Sequence, residues 1–185
     1  MKSTLRNMML SLGAIASGAG LILGLMNDAT ADARALARTA ARSEAIARVL
    51  PPFDNNPLGT ADTAAGCTVY RATRNGSDAG YAVTATSPDG FGGPLTVMAG
   101  FDTAGTLTGY EILESTETPG LGSKAGEWFR DPSGHRSVLG SRGILAVTKD
   151  GGDIDAISGA TITSRAFTDA LNTARRAFET YRKRQ

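Results

Sequence analysis

Fifteen residues toward the C-terminal end, Asp150-Gly-Gly-Asp-Ile-Asp155-Ala-Ile-Ser158-Gly159-Ala160-Thr161-Ile-Thr163-Ser164, combine small side chains with four hydroxyls. They precede an amphipathic stretch that reads as a helix. A helix start offers backbone N–H groups without intrahelical acceptors and the positive end of the macrodipole, so it attracts an anion. Gly159 and Ala160 remove the bulk that would block its approach. The composition therefore suits a phosphate. It also suits a plainer role, in which Ser158 or Thr161 caps the helix.

Other residues able to do chemistry are scarce. Cys67 is the only cysteine, which excludes an internal disulfide framework and a Cys-only metal cluster. Beside an expected strand and outside any redox pair, it reads as a buried or inert thiol. His135, the only histidine, lies in the turn-like run Asp131-Pro-Ser-Gly-His135-Arg136 and has no second imidazole with which to share a metal. No Cys cluster for iron and sulfur and no Gly-rich strand-to-helix turn for a dinucleotide is present. Lys and Arg number 19 against 18 Asp and Glu, a net charge of +1, so no global field draws the chain to nucleic acid.

The elements that must position the hydroxyl-rich segment begin with an apolar run. Met8 to Met26 holds no charged residue, and at ~1.5 Å per residue its ~28 Å matches the ~30 Å hydrocarbon core of a bilayer. Gly13, Ala14, Ala16, Ser17, Gly18, Ala19 and Gly20 suit packing against other transmembrane helices. Lys2, Arg6 and the small-x-small Ala29-Thr30-Ala31 also fit a cleaved signal peptide. Either reading puts the bulk of the chain outside the cytoplasm, although Arg34, Arg38, Arg42 and Arg48 weaken the charge argument for that orientation.

Three parts are expected: residues 1–28 as the anchor, 29–58 as a linker helix and turn, and 59–185 as one domain. Ala29 to Leu50 lacks Gly and Pro and should be helical up to Pro51-Pro52. Cys67 to Ala72, Gly80 to Thr86, Leu95 to Phe101 and Leu107 to Leu113 read as strands, with a hairpin turn at Asp102-Thr-Ala-Gly105. Ile144 to Thr148 is a further strand candidate. From Ser164 to Tyr181, Phe167, Leu171, Ala174, Phe178 and Tyr181 form one helical face for packing on a sheet. The class is α+β: one transmembrane helix, then short antiparallel strands packed with helices.

Asp155-Ala-Ile-Ser158-Gly159-Ala160-Thr161 resembles the flavinylation motif of the FMN-binding domain family: Asp, two variable residues, Ser or Thr, Gly, Ala, then the modified Thr. Glu117-Thr118-Pro119-Gly120-Leu121-Gly122, followed by Lys124 and Trp128, is similar to a second signature found in the G subunits of Rnf ion-translocating ferredoxin:NAD oxidoreductases. The C subunit of the sodium-pumping NADH:quinone reductase shares both. The resemblance runs from the apolar helix through Val49-Leu50-Pro51 to the last helix.

This resemblance implies FMN esterified through its phosphate to Thr161, with Asp155, Ser158, Gly159 and Ala160 around it. It implies Glu117, Thr118, Gly120, Leu121 and Gly122 as a wall for the ring, where the bland alternative is a Pro-Gly turn. Trp128 then either stacks on the ring or fills the core. A threonine hydroxyl is a weak nucleophile, so a flavin transferase that takes FMN from FAD is an implied partner. The implied function is an electron carrier, assembled with the other Rnf proteins and anchored in the bacterial inner membrane with its domain outside the cytoplasm. The alternatives are the corresponding member of the quinone reductase and an envelope-anchored binding module without a redox role.

Overall fold

The computed structural model describes residues 5–185; Lys2, one of the two N-terminal basic residues, lies outside them. Two compact units divide between Ala41 and Arg42. In the first, helix α1 (Leu5–Ala29) is long and apolar enough to cross a membrane, and no residue of it is buried. Helix α2 (Ala31–Val49) follows after Thr30, whose N–H still donates to Met26 O at 3.1 Å.

In the second unit an antiparallel meander of five strands, in the order β1 (Ala61–Ala64), β2 (Cys67–Arg74), β3 (Ser77–Ser87), β4 (Leu95–Phe101) and β5 (Leu107–Glu114), packs on the long helix α4 (Thr161–Arg182). A short helix α3 (Ala125–Trp128) lies between β5 and α4 in sequence. The hairpin turns are local chemistry: Asn75 and Gly76 take positive φ between β2 and β3, and Asp102 Oδ1 accepts from the N–H groups of Ala104 and Thr106 between β4 and β5.

Alternation along the strands separates two cores. Val69, Tyr81, Val83, Val97, Phe101, Leu107 and Tyr110 face α4, where Phe167, Leu171, Ala174, Phe178 and Tyr181 meet them along the helical face legible in the sequence. Phe129 stacks on Phe167 with centroids 4.4 Å apart. On the opposite face Tyr70, Ala72, Ala82 and Met98 cover Ala45, Ile46, Val49 and Leu50. Residues 42–58, expected as a linker, thus begin with part of a core layer. The approach is close: a Cβ on Gly100 would strike Val49 O, one on Gly109 would sit 2.9 Å from Val49 Cα, and Thr108 Oγ1 donates to Val49 O at 2.6 Å.

Two local expectations are corrected. Ile144 to Thr148 is not a strand of the sheet. It makes a single parallel bridge, Val147 to Ile154, before a 3-10 turn over Thr148–Asp150, and Ile144 is 86% exposed. Asn172 on α4 explains this: its side chain accepts from Leu145 N–H and donates to Leu145 O, both at 2.8 Å, which satisfies that backbone without a neighbouring strand. Strand β1 was not expected, because its short polar run Ala61-Asp-Thr-Ala64 gives no apolar pattern.

Candidate functional site

Beside the start of α4 lies a cavity of about 330 Å³, lined by Phe91, Lys149, Ile162, residues of the 117–122 loop and Gly159 to Thr163. Two turns build it. Thr118-Pro119-Gly120-Leu121 is a Pro-Gly turn closed by Leu121 N–H to Thr118 O at 3.2 Å, and its Thr118 and Leu121 line the cavity. Ile157-Ser158-Gly159-Ala160 is closed by Ala160 N–H to Ile157 O at 3.0 Å, with Gly159 at φ +77°, a conformation glycine adopts without strain.

The structure sorts the four hydroxyls. Ser164 Oγ is buried, accepts from Ile157 N–H at 3.0 Å and donates to Ala160 O at 2.9 Å, which ties the turn to the helix. Thr163 Oγ1 is buried and donates to Glu117 Oε2 at 2.7 Å. Ser158 is exposed and lies outside the cavity lining. Thr161, half-buried, opens α4 and lines the cavity, and its Oγ1 accepts from Lys149 Nζ at 3.1 Å.

Neither Ser158 nor Thr161 caps the helix. Ala160 occupies the N-cap position and gives no side-chain bond, so the first N–H groups of α4 stay available to an anion. Lys149 adds a full positive charge at the same place. Its neighbour Asp150 is taken by Arg165, whose Nε and guanidinium nitrogen donate at 2.7 and 2.6 Å and hold that carboxyl below the usual range.

Glu117 organises the wall. Its Oε1 accepts from Phe91 N–H at 2.8 Å while Oε2 accepts from Thr163, so one buried carboxylate joins the loop after β3, the Pro-Gly turn and α4. A Cβ on Gly122 would come within 2.6 Å of Glu117 Oε2 and 2.7 Å of Thr163 Oγ1, which leaves room for glycine alone. Around the mouth, Phe91, Leu121 and Ile162 remain 67%, 43% and 49% exposed. Large apolar side chains left bare around a concave site mark a surface that expects an apolar partner.

Some residues singled out in the sequence stand elsewhere. Gly120 is exposed in the turn and outside the lining. Asp155 lies outside the lining: its N–H donates to His135 O at 2.7 Å, its carbonyl accepts from Trp128 Nε1 at 2.9 Å and Oδ2 accepts from His135 N–H at 3.4 Å. Trp128 packs against the main core under the Arg136 guanidinium, 4.1 Å from the ring centroid, outside the cavity. His135 is exposed, and Cys67 is buried, with burial pushing its thiol above the ordinary value. Phe91, Lys149 and Ile162 were not identified from the sequence; the Lys149-Asp-Gly-Gly152 turn ahead of the motif was the available signal for Lys149.

Residues 90–176, which include the cavity lining, match the family model described as FMN-binding domain. The G subunit of the ion-translocating oxidoreductase complex of Pseudomonas aeruginosa (strain UCBPP-PA14) is 34% identical over 99% of this chain and 92% of that protein. The proteins of the same description from Vibrio vulnificus (strain YJ016) and Escherichia coli (strain K12) are each 37% identical, over 62% and 57% of this chain. There the chain spans about half the length of its relatives, 56% and 53%. Both sequence signatures, the apolar first helix and the match along nearly the full length lead to one assignment: the chain belongs to the Rnf G-subunit family of ion-translocating oxidoreductase complexes and contains an FMN-binding domain.

Proposed function

We propose that this chain is a membrane-anchored electron carrier of an ion-translocating ferredoxin:NAD oxidoreductase, holding FMN as a phosphoester on Thr161 Oγ1. One observation carries the attachment. Of the four hydroxyls, only that of Thr161 lines the cavity without being bonded into the fold, beside a cation and the free N–H groups of α4. A phosphodiester there carries one negative charge, matched by Lys149 and the helix start. The apolar rim of Phe91, Leu121 and Ile162 and the wall from Glu117 to Gly122 suit a flat ring. FMN held there supplies the ability to take up electrons and pass them on.

Ser158, Gly159 and Ala160 shape one turn and Gly120 the other, while Glu117 locks them together. The relatives are named as subunits of a complex. The present chain accordingly works with partner proteins of that complex, and a flavin transferase loads it. A covalent tether suits a domain outside the cytoplasm, because it makes rebinding intramolecular where no flavin pool replaces a lost cofactor.

Thr161→Ala is expected to abolish covalent flavin fluorescence on a denaturing gel after co-expression with a flavin transferase, whereas Thr163→Ala retains it. Peptide mass spectrometry should place FMN on Thr161; finding it on Ser158 or Thr163 defeats the assignment. An alkaline phosphatase fusion at Gln185 should be active and a green fluorescent protein fusion dark, and the reverse pattern rejects the extracytoplasmic orientation. A charged residue in place of Thr118 or Leu121 should leave the flavin attached but change its spectrum.

A further inference from the structure

The cation beside Thr161 has no part in holding the fold. Lys149 sits in the 3-10 turn Thr148–Asp150, which is fixed by its backbone: Thr148 N–H donates to Ile154 O at 2.8 Å and Asp150 N–H to Val147 O at 2.9 Å. Behind it Gly152 packs so closely on Ala146 that a Cβ would strike Ala146 O. The backbone thus aims Lys149 at one place. Its side chain is exposed, and among the described residues no carboxylate forms a salt bridge with it, since adjacent Asp150 is held by Arg165. Its hydrogen bond goes to Thr161 Oγ1. A flexible ammonium held on one neutral hydroxyl at the surface gains little in water. The arrangement gains value when that oxygen carries a phosphate.

We propose that Lys149 is the positioning residue for flavin attachment: its ammonium directs the Thr161 hydroxyl into the cavity and becomes the counter-ion of the phosphodiester. This rests on Thr161 as the attachment point. Flavin adenine dinucleotide is the donor. The Oγ1–H bond of Thr161 is replaced by an Oγ1–P bond to the FMN phosphorus, and the P–O–P linkage breaks. Adenosine monophosphate leaves with the electron pair of the broken P–O bond, the hydroxyl proton passes to a base on the transferase, and no atom changes oxidation state. Lys149 supplies charge and direction: one N–H meets Oγ1, and two others remain for the non-bridging oxygens.

The test uses the full-length chain without flavin, a purified flavin transferase and flavin adenine dinucleotide. Initial rates of covalent fluorescence are compared for wild type, Lys149→Ala, Lys149→Glu and Lys149→Arg, with the attachment site read by peptide mass spectrometry. The alanine variant is expected to load about fivefold more slowly, the glutamate variant more slowly still and the arginine variant close to wild type. Added salt should slow the wild type and spare the alanine variant. In the loaded alanine variant the phosphorus NMR resonance of the diester should move from its wild-type position. Slower loading with an unmoved resonance would mean a contact with the transferase alone and overturn the counter-ion role. Wild-type rates in both the alanine and glutamate variants, with flavin on Thr161, overturn the inference and leave the attachment site standing; wild-type chain without flavin on Thr161 removes the attachment site itself.

Discussion

Helix α4 has two polar neighbourhoods, and they differ in what is left unspent. At its start the N–H groups of the first turn, the Thr161 hydroxyl and Lys149 are accessible, and one weak bond links the two side chains. Further along the helix, Arg175 is buried and bonded into the fold: its guanidinium donates to Gly105 O and Arg142 O at 2.9 Å and to Ser141 O at 3.0 Å. Burial pulls its pKa below the ordinary value, opposed by Glu179, and its charge is spread over carbonyl dipoles. Polar groups saturated inside the protein hold chain segments together; polar groups left open on a concave surface await a ligand. The flanking cavities differ as well. The one at the helix start has an apolar rim, whereas the depression near Arg175 is lined by Phe178 together with the charged Arg142, Glu179, Arg182 and Lys183.

The largest expected effect breaks the closed neighbourhood. Arg175→Met removes the donor from three carbonyls in one step, so stability should fall by about 3 kcal/mol or more. Urea denaturation followed by circular dichroism measures this. A change below about 1 kcal/mol would mean that water replaces the guanidinium and that the site is less closed than its geometry states.

Glu117 lies between the two cases, buried like Arg175 but placed beside the cavity like Thr161. Glu117→Ala leaves Phe91 N–H and Thr163 Oγ1 without their partner and is expected to cost about 2 kcal/mol. Glu117→Gln keeps an acceptor and the shape, and should cost less than about 1 kcal/mol. Equal losses in the two variants would show that charge, rather than bonding, joins the loops.

A smaller effect concerns pH. Burial, followed by its hydrogen bond to Asp78, pushes the Tyr81 hydroxyl from 10.0 up to about 12, and burial also raises that of Tyr110. A folded-state pKa raised above the unfolded value contributes stability that is complete below pH 10.0 and lost as pH rises through the folded value. Melting temperature should therefore hold up to about that pH and decline toward pH 12. Tyr81→Phe should flatten the decline, and an unchanged slope would assign alkaline unfolding to other groups.

Legibility in the sequence followed local determination. The face of α4 and the Asp102-to-Gly105 hairpin depend on spacing and turn chemistry within a few residues, and both were readable. Strand β4 alternated only partly because both its faces are buried, Val97 and Phe101 toward α4 and Met98 toward α2. The site depended on longer reach. Glu117 holds Phe91 through a backbone N–H, which no side-chain type announces, and Lys149 meets Thr161 across a turn of twelve residues' separation. The Ile144-to-Thr148 segment looked like a strand because Leu145 and Val147 are buried, yet a helix side chain satisfies its backbone instead.

The smallest expected effect sharpens the comparison from its open side. Thr161→Ala should change the stability of the flavin-free protein by less than about 0.5 kcal/mol. Thr161 is the first residue of α4 rather than its cap, its hydroxyl makes one bond to an exposed lysine, and alanine is the better helix former. Ser164 and Thr163, which do lock the helix start, are untouched. The same substitution should nevertheless remove all covalent flavin. Unfolding curves that superimpose on those of the wild type, beside a denaturing gel without fluorescence, would separate the hydroxyl's chemistry from the fold. A loss of about 1 kcal/mol or more would instead make Thr161 a structural residue, and the contrast between the two neighbourhoods of α4 would fail where it matters most.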